Sequence, residues 1–157
     1  MKIMQTLEGG LRVDLEDGED WEILLGILRD ATSCEVKLAD RLGNMVTAEE
    51  VAEDWKEFII PDLDATFDAD LAHVSNSISA ARMEAAGGPG PLWISKDDAF
   101  HWYSALNQAR LAIEEKYHFG PSEEVDPAKL TTESSGAFLR SLIYTNLQSL
   151  LLDRVLR

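Results

Sequence analysis

The longest regular run of apolar positions lies in the second half of the chain, over residues 95–117. Apolar residues recur there at intervals of three and four: Ala99, Trp102, Leu106, Ala109, Ile113 and Tyr117. This spacing places them on one face of a helix. Ser95 is the expected N-cap, because its hydroxyl can accept a hydrogen bond from the amide of Asp98. The pattern therefore predicts a central helix over 95–117 with one buried face.

The N-terminus alternates imperfectly between apolar and polar positions. Residues 2–7 and 11–15 are joined by Glu8-Gly9-Gly10, a connection of hairpin length, and this arrangement predicts a β-hairpin. A hairpin alone is marginally stable in water, so we expect it to pack against helices. Leu92-Trp93-Ile94 follows a Gly/Pro loop at 87–91 and is a candidate third strand.

Apolar spacing and capping residues predict four helices between the hairpin and the Gly/Pro loop. They span residues 20–31, capped by Asp17 or Asp20; residues 34–42, ended by a left-handed Gly43-Asn44; the segment from the capping box Thr47-Ala48-Glu49-Glu50 to Ile60; and residues 68–85. Pro61 is expected to stop the third of these helices, because proline has no N–H to donate to the helical ladder.

The terminal segment, residues 137–156, is apolar on all sides of the helix that it predicts. Such a helix is either central to the core or covered by another chain, and both interpretations stay open. We expect it to pack beside the central helix, because complementary apolar faces pack together. Replacing Leu151 with Asp should then unfold the protein if that face is internal, or give a monomer if it is an interface.

These elements predict a mainly α fold class. The expected architecture is a single-domain bundle of four to six helices, residues 20–156, with the hairpin of residues 1–16 packed against it. The length of 157 residues is that of one ordinary domain. Neither side of the Gly/Pro loop carries enough apolar residues for a separate domain, so we predict one domain over 1–157.

Charge is the strongest compositional signal. The chain has 29 acidic residues against 14 Lys and Arg, a formal net charge of −15. Nucleic acid and anionic membranes would be repelled, so we expect neither as a partner. The acids occur in every segment, which favours a solvated acidic surface, although an acidic face that recognises a basic partner stays open. The single Cys34, an N-terminus without an apolar signal region and the lack of a long apolar run predict a soluble cytoplasmic protein.

Patterns that support catalysis are weak. The sequence has no Gly-x-Ser-x-Gly elbow and no glycine-rich phosphate loop between a strand and a helix. Cys34 lacks activating neighbours and is followed by the carboxylate of Glu35, so we predict a structural role for it. We therefore name no catalytic residue and expect no cofactor.

An acidic residue precedes each histidine by three positions. The three pairs are Asp70 with His73, Asp98 with His101, and Glu115 with His118. On a helix this spacing puts both side chains on one face, as in dimetal helix bundles. Acids are so frequent here that the spacing carries little weight. His101 is also expected to point outward, whereas bundle ligands point inward, and we predict no metal site.

Polar residues on the central helix are the candidate binding residues. Tyr103, Asn107 and Arg110 run beside the apolar stripe. A guanidinium there could grip a carboxylate or phosphate, which would make Trp102, Asn107 and Arg110 ligand- or partner-binding residues. In the structural interpretation, which we favour, Arg110 pairs with an acid and Asn107 caps a backbone group. A pocket with an unpaired Arg110 would favour binding.

The motif Trp102-x-x-x-Leu106-Asn107-x-x-Arg110-Leu111 resembles the signature of an uncharacterised bacterial family, domain of unknown function 2017. The order of parts is similar over most of the chain, although Ile143-Tyr144-Thr145-Asn146-Leu147 stands where a Trp-bearing segment is usual. The family has no assigned activity. Its genes often lie near that of the Clp protease adaptor, so the resemblance implies a role around protein quality control or regulation.

Two functional hypotheses follow from these patterns. The leading one is a non-enzymatic interaction or regulatory protein that binds a protein partner or self-associates through the terminal helix. The alternative is a small-ligand-binding protein or enzyme with a polar site around Asn107 and Arg110.

Overall fold

The computed structural model describes residues 1–46 and 49–157. Within them lie three strands and six α-helices: β1 Lys2–Gln5, β2 Leu11–Leu15, α1 Gly18–Ala31, α2 Leu38–Asn44, α3 Glu49–Asp54, α4 Ile60–Glu84, β3 Gly90–Ile94, α5 Ala99–Tyr117 and α6 Thr132–Arg154. Single 3₁₀ turns at Ser122–Glu124 and Pro127–Lys129 join α5 to α6. The predicted fold class, mainly α with an N-terminal hairpin against the helices, is confirmed.

The three strands form one antiparallel sheet in the order β1-β2-β3. Leu11, Val13 and Leu15 of β2 are buried because alternate side chains of a strand share one face. The predicted hairpin and third strand are therefore present. β1 ends at Gln5 rather than at residue 7, because the Thr6 hydroxyl accepts the Gly10 N–H at 2.9 Å and closes the turn.

Two predicted helix ends near residue 43 and residue 61 are wrong. Gly43 is not left-handed but lies inside α2, where Ile60 packs directly against its α-carbon and leaves no room for a Cβ. Pro61 does not stop its helix, because a π-helical turn, Trp55–Ile59, carries α3 into α4. Pro61 then falls in the first turn of α4, directly after the π-helical turn, a position that proline tolerates. The capping box Thr47-Ala48-Glu49-Glu50 lies partly outside the described residues.

The core forms around α5, which packs against α1, α4 and α6. Trp21 of α1 and Trp102 of α5 are fully buried there. The predicted bond from the Asp98 N–H to the Ser95 hydroxyl is present at 3.1 Å. The predicted helix start is wrong, because this bond closes a turn and α5 begins only at Ala99, with Asp98 instead of Ser95 as its N-cap. Along the described ranges, none of the helices is both long and apolar enough to cross a bilayer.

The terminal helix α6 has an inner and an outer face. Tyr144, Leu147 and Leu151 point inward and are completely buried. Leu151→Asp is therefore expected to unfold the protein, because it would place an unpaired charge in the core. The outer face leaves large apolar side chains partly in water, namely Leu139, Leu142 and Leu152.

Candidate functional site

A groove runs between α5 and α6 on the surface of the protein. The two helices are antiparallel, because Tyr117 donates to Glu133 near one end at 2.9 Å while Arg110 meets Gln148 further along. Asn107 lies one turn before Arg110 and accepts a hydrogen bond from the Gln148 amide at 3.4 Å. The predicted packing of the central helix beside the terminal helix thus sets Asn107 and Arg110 at their boundary.

The groove deepens into a cleft of about 400 Å³ near the C-terminal end of α5. The cleft is closed by the turn after α5, where His118 has a left-handed backbone with φ 52°. Glu114 holds this turn by accepting the Gly120 N–H at 3.0 Å. The walls of the cleft combine polar and apolar side chains: Asn107, Arg110, Leu111, Glu114, Phe119, Ser122, Phe138, Ser141, Leu142 and Thr145.

Arg110 is half-buried in this cleft and incompletely hydrogen-bonded. Its Nη1 donates to the side-chain oxygen of Gln148, which is itself buried. Its Nε is buried and has no acceptor among the described residues, and none of their carboxylates lies within 4.0 Å of it. A guanidinium has five N–H donors in a planar fork. Donors therefore remain for an anion that enters the cleft.

The surface on both sides of the groove carries no acidic residue over a long distance. No Asp or Glu occurs from Ala99 to Ile113 of α5, or from Ser134 to Leu152 of α6, in a chain with 29 acids. The prediction that acids are spread through every segment does not hold within these two stretches. Each stretch is readable in the sequence, but only the packing of α5 against α6 joins them into one acid-free face.

Exposed apolar side chains continue the cleft along the groove. On α5, Phe100, Tyr103, Asn107 and Leu111 follow each other at intervals of three and four, with Phe100 71% exposed. On α6, Leu142, Thr145, Ser149 and Leu152 have the same spacing, with Leu142 and Leu152 about two-fifths exposed at 41% and 43%. Each set forms one helical stripe that includes cleft residues. We call the channel between these stripes the α5–α6 groove.

Two histidines, His73 and His101, form a second polar cluster with two carboxylates between α4 and α5. His101 does not point away from the protein but bonds through Nδ1 to Asp70 at 2.7 Å, and His73 bonds through Nε2 to Asp98 at 2.8 Å. The two rings stack with their centres 4.4 Å apart. Each acid thus pairs with the histidine of the other helix, and the cluster ties α4 to α5.

The pKa of the Asp98 carboxylate is set mainly by its neighbour Ser95. The Ser95 hydroxyl donates to Asp98 at 2.6 Å, and this bond, followed by the contact with His73, holds the pKa of Asp98 below its ordinary value. Partial burial opposes the shift but does not cancel it. Among the described residues, the imidazoles and carboxylates do not converge on one point that could hold a metal ion.

A smaller pocket of about 240 Å³ lies near Cys34, on the side of α5 away from the groove. The Cys34 thiol donates to the Ala112 carbonyl at 3.5 Å, and Gln108 is buried in the wall. Arg41 also lines it but pairs with Glu115 at 3.0 Å. Gln108 and Arg41 were not predicted from the sequence, because neither belongs to a recognisable motif.

The candidate binding residues separate into two places. Asn107 and Arg110 lie together in the α5–α6 groove. Trp102 is fully buried in the core, and its indole N–H has no acceptor among the described residues. It supports α5 from the inside rather than meeting the groove.

Comparisons with known proteins bear on the family and not on the activity. No curated protein and no solved structure matches the chain. A family model described as a domain of unknown function, DUF2017, matches residues 2–155, which is nearly the whole chain. The resemblance carried by Trp102, Leu106, Asn107, Arg110 and Leu111 is therefore confirmed, and the chain belongs to this family.

Proposed function

We propose that the protein is a non-enzymatic, cytoplasmic interaction protein that binds a partner polypeptide in the α5–α6 groove. Arg110 receives a carboxylate of the partner, and the exposed apolar side chains along the groove receive its apolar residues. The observation that carries the proposal is Arg110 itself, which lies in a cleft beside the acid-free stretches of α5 and α6 and has no carboxylate of the described residues within 4.0 Å. We further propose that the interaction serves protein quality control or regulation, as the family's gene neighbourhood implies.

The chemistry of the groove supports such a partner. Arginine binds carboxylates through two parallel hydrogen bonds, which are stronger than bonds between neutral groups. Leu111, Leu142 and Phe100 leave apolar surface in water, and covering it contributes about 25 cal/mol for each Å² buried. An acidic protein would repel an acidic partner over most of its surface. In the groove a partner carboxylate meets the Arg110 guanidinium between two helical stretches without acids, and Glu114 lies at the closed end of the cleft.

The groove suits a different protein better than a second copy of this chain. A symmetric contact through this face would bring two Arg110 side chains towards each other, because a two-fold axis pairs the same surfaces. Both copies would also carry a net charge of −15. We therefore propose a protein partner rather than self-association through α6.

The alternative from the sequence, a small ligand or a substrate, uses the same cleft. A volume of about 400 Å³ lies within the range of small-molecule sites. A carboxylate or phosphate of a small molecule would also satisfy Arg110. The groove beyond the cleft distinguishes the two hypotheses, because a small ligand would leave Phe100 and Leu152 uncovered.

Site-specific crosslinking in native cytoplasm tests the proposal. Ser149 lies on the groove stripe of α6, and a photoreactive residue placed there should capture a discrete protein. The same residue at Ser79, exposed on α4, is the matched control and should not capture it. Arg110→Gln should reduce the Ser149 crosslink about tenfold or more, while Arg154→Gln at the exposed end of α6 leaves it unchanged. Capture that is equal at Ser79, or that survives Arg110→Gln, would contradict the proposal.

A further inference from the structure

The shape of the α5–α6 groove specifies the form of the partner, on the assumption that the proposed interaction holds. We infer that the groove binds an amphipathic α-helix of about three turns, with one carboxylate in the middle of its apolar face. Phe100 and Leu111 mark the ends of the α5 stripe, and Leu142 and Leu152 mark those of the α6 stripe. At about 1.5 Å per residue the groove is roughly 15 to 17 Å long, which three helical turns fill.

An extended peptide lacks a counterpart on this face. Binding by strand addition needs free backbone N–H and C=O groups on a sheet edge. Both walls of the groove are helices, whose interior backbone groups are already hydrogen-bonded within each helix. A helical partner satisfies its own backbone and offers side chains only. A third helix lying along two antiparallel helices also packs its ridges into the groove between them.

The order of side chains along the groove gives the order expected on the partner. Apolar side chains lie at one end, around Phe100 and Leu152, and again at the other, around Leu111 and Leu142. Asn107, Arg110, Thr145 and Ser149 occupy the stretch between them. The complementary helix has apolar residues at positions i and i+11 with an acid between them at i+7, since these positions share one face and i and i+11 lie about 16.5 Å apart.

The ends of the groove indicate the remaining charges of the partner. Acids border both ends of α5: Asp97 and Asp98 before its first residue, and Glu114 and Glu115 in its last turn. Asp153 closes the acid-free stretch of α6. A partner helix with lysine or arginine outside its apolar face is therefore favoured, because these acids attract cations and repel further carboxylates.

Three synthetic peptides of about 16 residues test the inference by fluorescence anisotropy. The first is a helix-forming sequence with leucines at i and i+11 and glutamate at i+7. The second carries glutamine in place of that glutamate. The third keeps the glutamate but has a proline at its centre, which breaks the helix without changing the charge.

The expected result is a ranking that depends on Arg110. The glutamate peptide should bind about tenfold more tightly than the glutamine peptide, because its carboxylate meets the guanidinium. That difference should vanish in Arg110→Gln and persist in Arg154→Gln. The proline peptide should bind at least tenfold more weakly than the glutamate peptide. Circular dichroism of the three purified peptides shows which of them are helical.

Two outcomes overturn the helix inference and leave the proposed function standing. One is equal binding of the proline and glutamate peptides. The other is no saturable binding of the glutamate peptide at about 1 mM although the Ser149 crosslink captures a protein. If the photoreactive residue at Ser149 captures no protein, the proposed function itself is contradicted. Failure of the helix inference and failure of the proposed function are therefore distinguishable.

Discussion

Two arginines on neighbouring helices meet opposite environments. Arg140 of α6 makes a bidentate contact with Asp30 of α1, through Nε at 2.7 Å and Nη2 at 2.9 Å. Arg110 of α5 makes one contact, with the neutral amide of Gln148, and its Nε has no acceptor among the described residues. Both guanidiniums are partly buried. They differ in whether the protein supplies the counter-charge.

The surroundings of Arg140 are built for that contact. The Tyr144 hydroxyl donates to the same carboxylate at 3.0 Å and to the Ile23 carbonyl at 2.9 Å. The pKa of this phenol is raised, mainly because it is buried and also because the charge of Asp30 lies nearby. Gly26 makes room, because a Cβ there would lie 2.8 Å from the Tyr144 oxygen. Hydrogen bonding to Asp30 also raises the pKa of Arg140.

The difference separates structural from functional polar groups. The Arg140–Asp30 ion pair, closed by two hydrogen bonds, fixes the packing of α6 on α1, and each of its charges already has its counter-charge within the protein. A guanidinium with unused donors in a cleft contributes little to the stability of the fold, but it can bind an anion. The same substitution by glutamine can be made at both arginines, and its effects on the free energy of unfolding and on binding should differ between them.

The largest effect is expected from Arg140→Gln. This change breaks the contact with Asp30 and leaves its carboxylate buried beside Tyr144 with too few donors. Loss of one partner of a buried pair destabilises strongly, and the expected loss in the free energy of unfolding is about 3 kcal/mol. Urea denaturation measures it, with the exposed Arg154→Gln as the control. A loss no larger than that of the control would show that the Arg140–Asp30 pair does not stabilise the fold.

The sequence predicted the elements of this protein better than its polar contacts. The stripes of α5, the hairpin and the third strand follow from periods of three to four and of two, which depend on local geometry alone. Arg110 was expected to pair with an acid, and the arginine that does so is Arg140, whose partner Asp30 is 110 residues away. Such a pair depends on which helices pack together, and no spacing within one segment reveals it.

The same limit explains the errors at Gly43, Pro61 and His101. Glycine and proline end helices in isolation, but tertiary contact with Ile60 and a π-helical turn override these preferences. His101 is off the apolar stripe of α5, as expected, yet α4 covers that side and supplies Asp70. The acid-free stretches of α5 and α6 are the opposite case. Each stretch can be seen in the sequence, and only the antiparallel packing of the two helices brings them side by side.

A smaller effect is expected at Asp98, which is paired like Asp30 but partly exposed. Ser95→Ala removes the N-terminal cap of the turn before α5 and should cost about 1 kcal/mol. It also removes the main cause of the lowered pKa of Asp98, so that pKa should rise towards its ordinary value of 3.8. Carbon-detected NMR titration of Asp98 measures the change, and Ser79→Ala on α4 is the control.

The sign of the pH effect follows from the direction of that shift. Because the pKa of Asp98 is lowered in the folded state, the unfolded chain binds the proton first as the pH falls. The contribution of Asp98 is therefore present above its ordinary pKa and is lost as the pH falls through its folded pKa. Stability should decrease less steeply below pH 4 in Ser95→Ala than in the wild type. An unchanged slope would show that Ser95 does not stabilise the ionised carboxylate.

The smallest effect on stability is expected from Arg110→Gln, the counterpart of the first substitution. Losing the bond to Gln148 costs about 1 kcal/mol, while removing a buried Nε–H without an acceptor offsets a similar amount. The free energy of unfolding should therefore change by less than about 1 kcal/mol, whereas binding to the partner should fall about tenfold. Denaturation and crosslinking on the same preparation measure both quantities. A loss of stability as large as that of Arg140→Gln would mean that Arg110 holds α5 to α6, and the unused donors would then be incidental to its role.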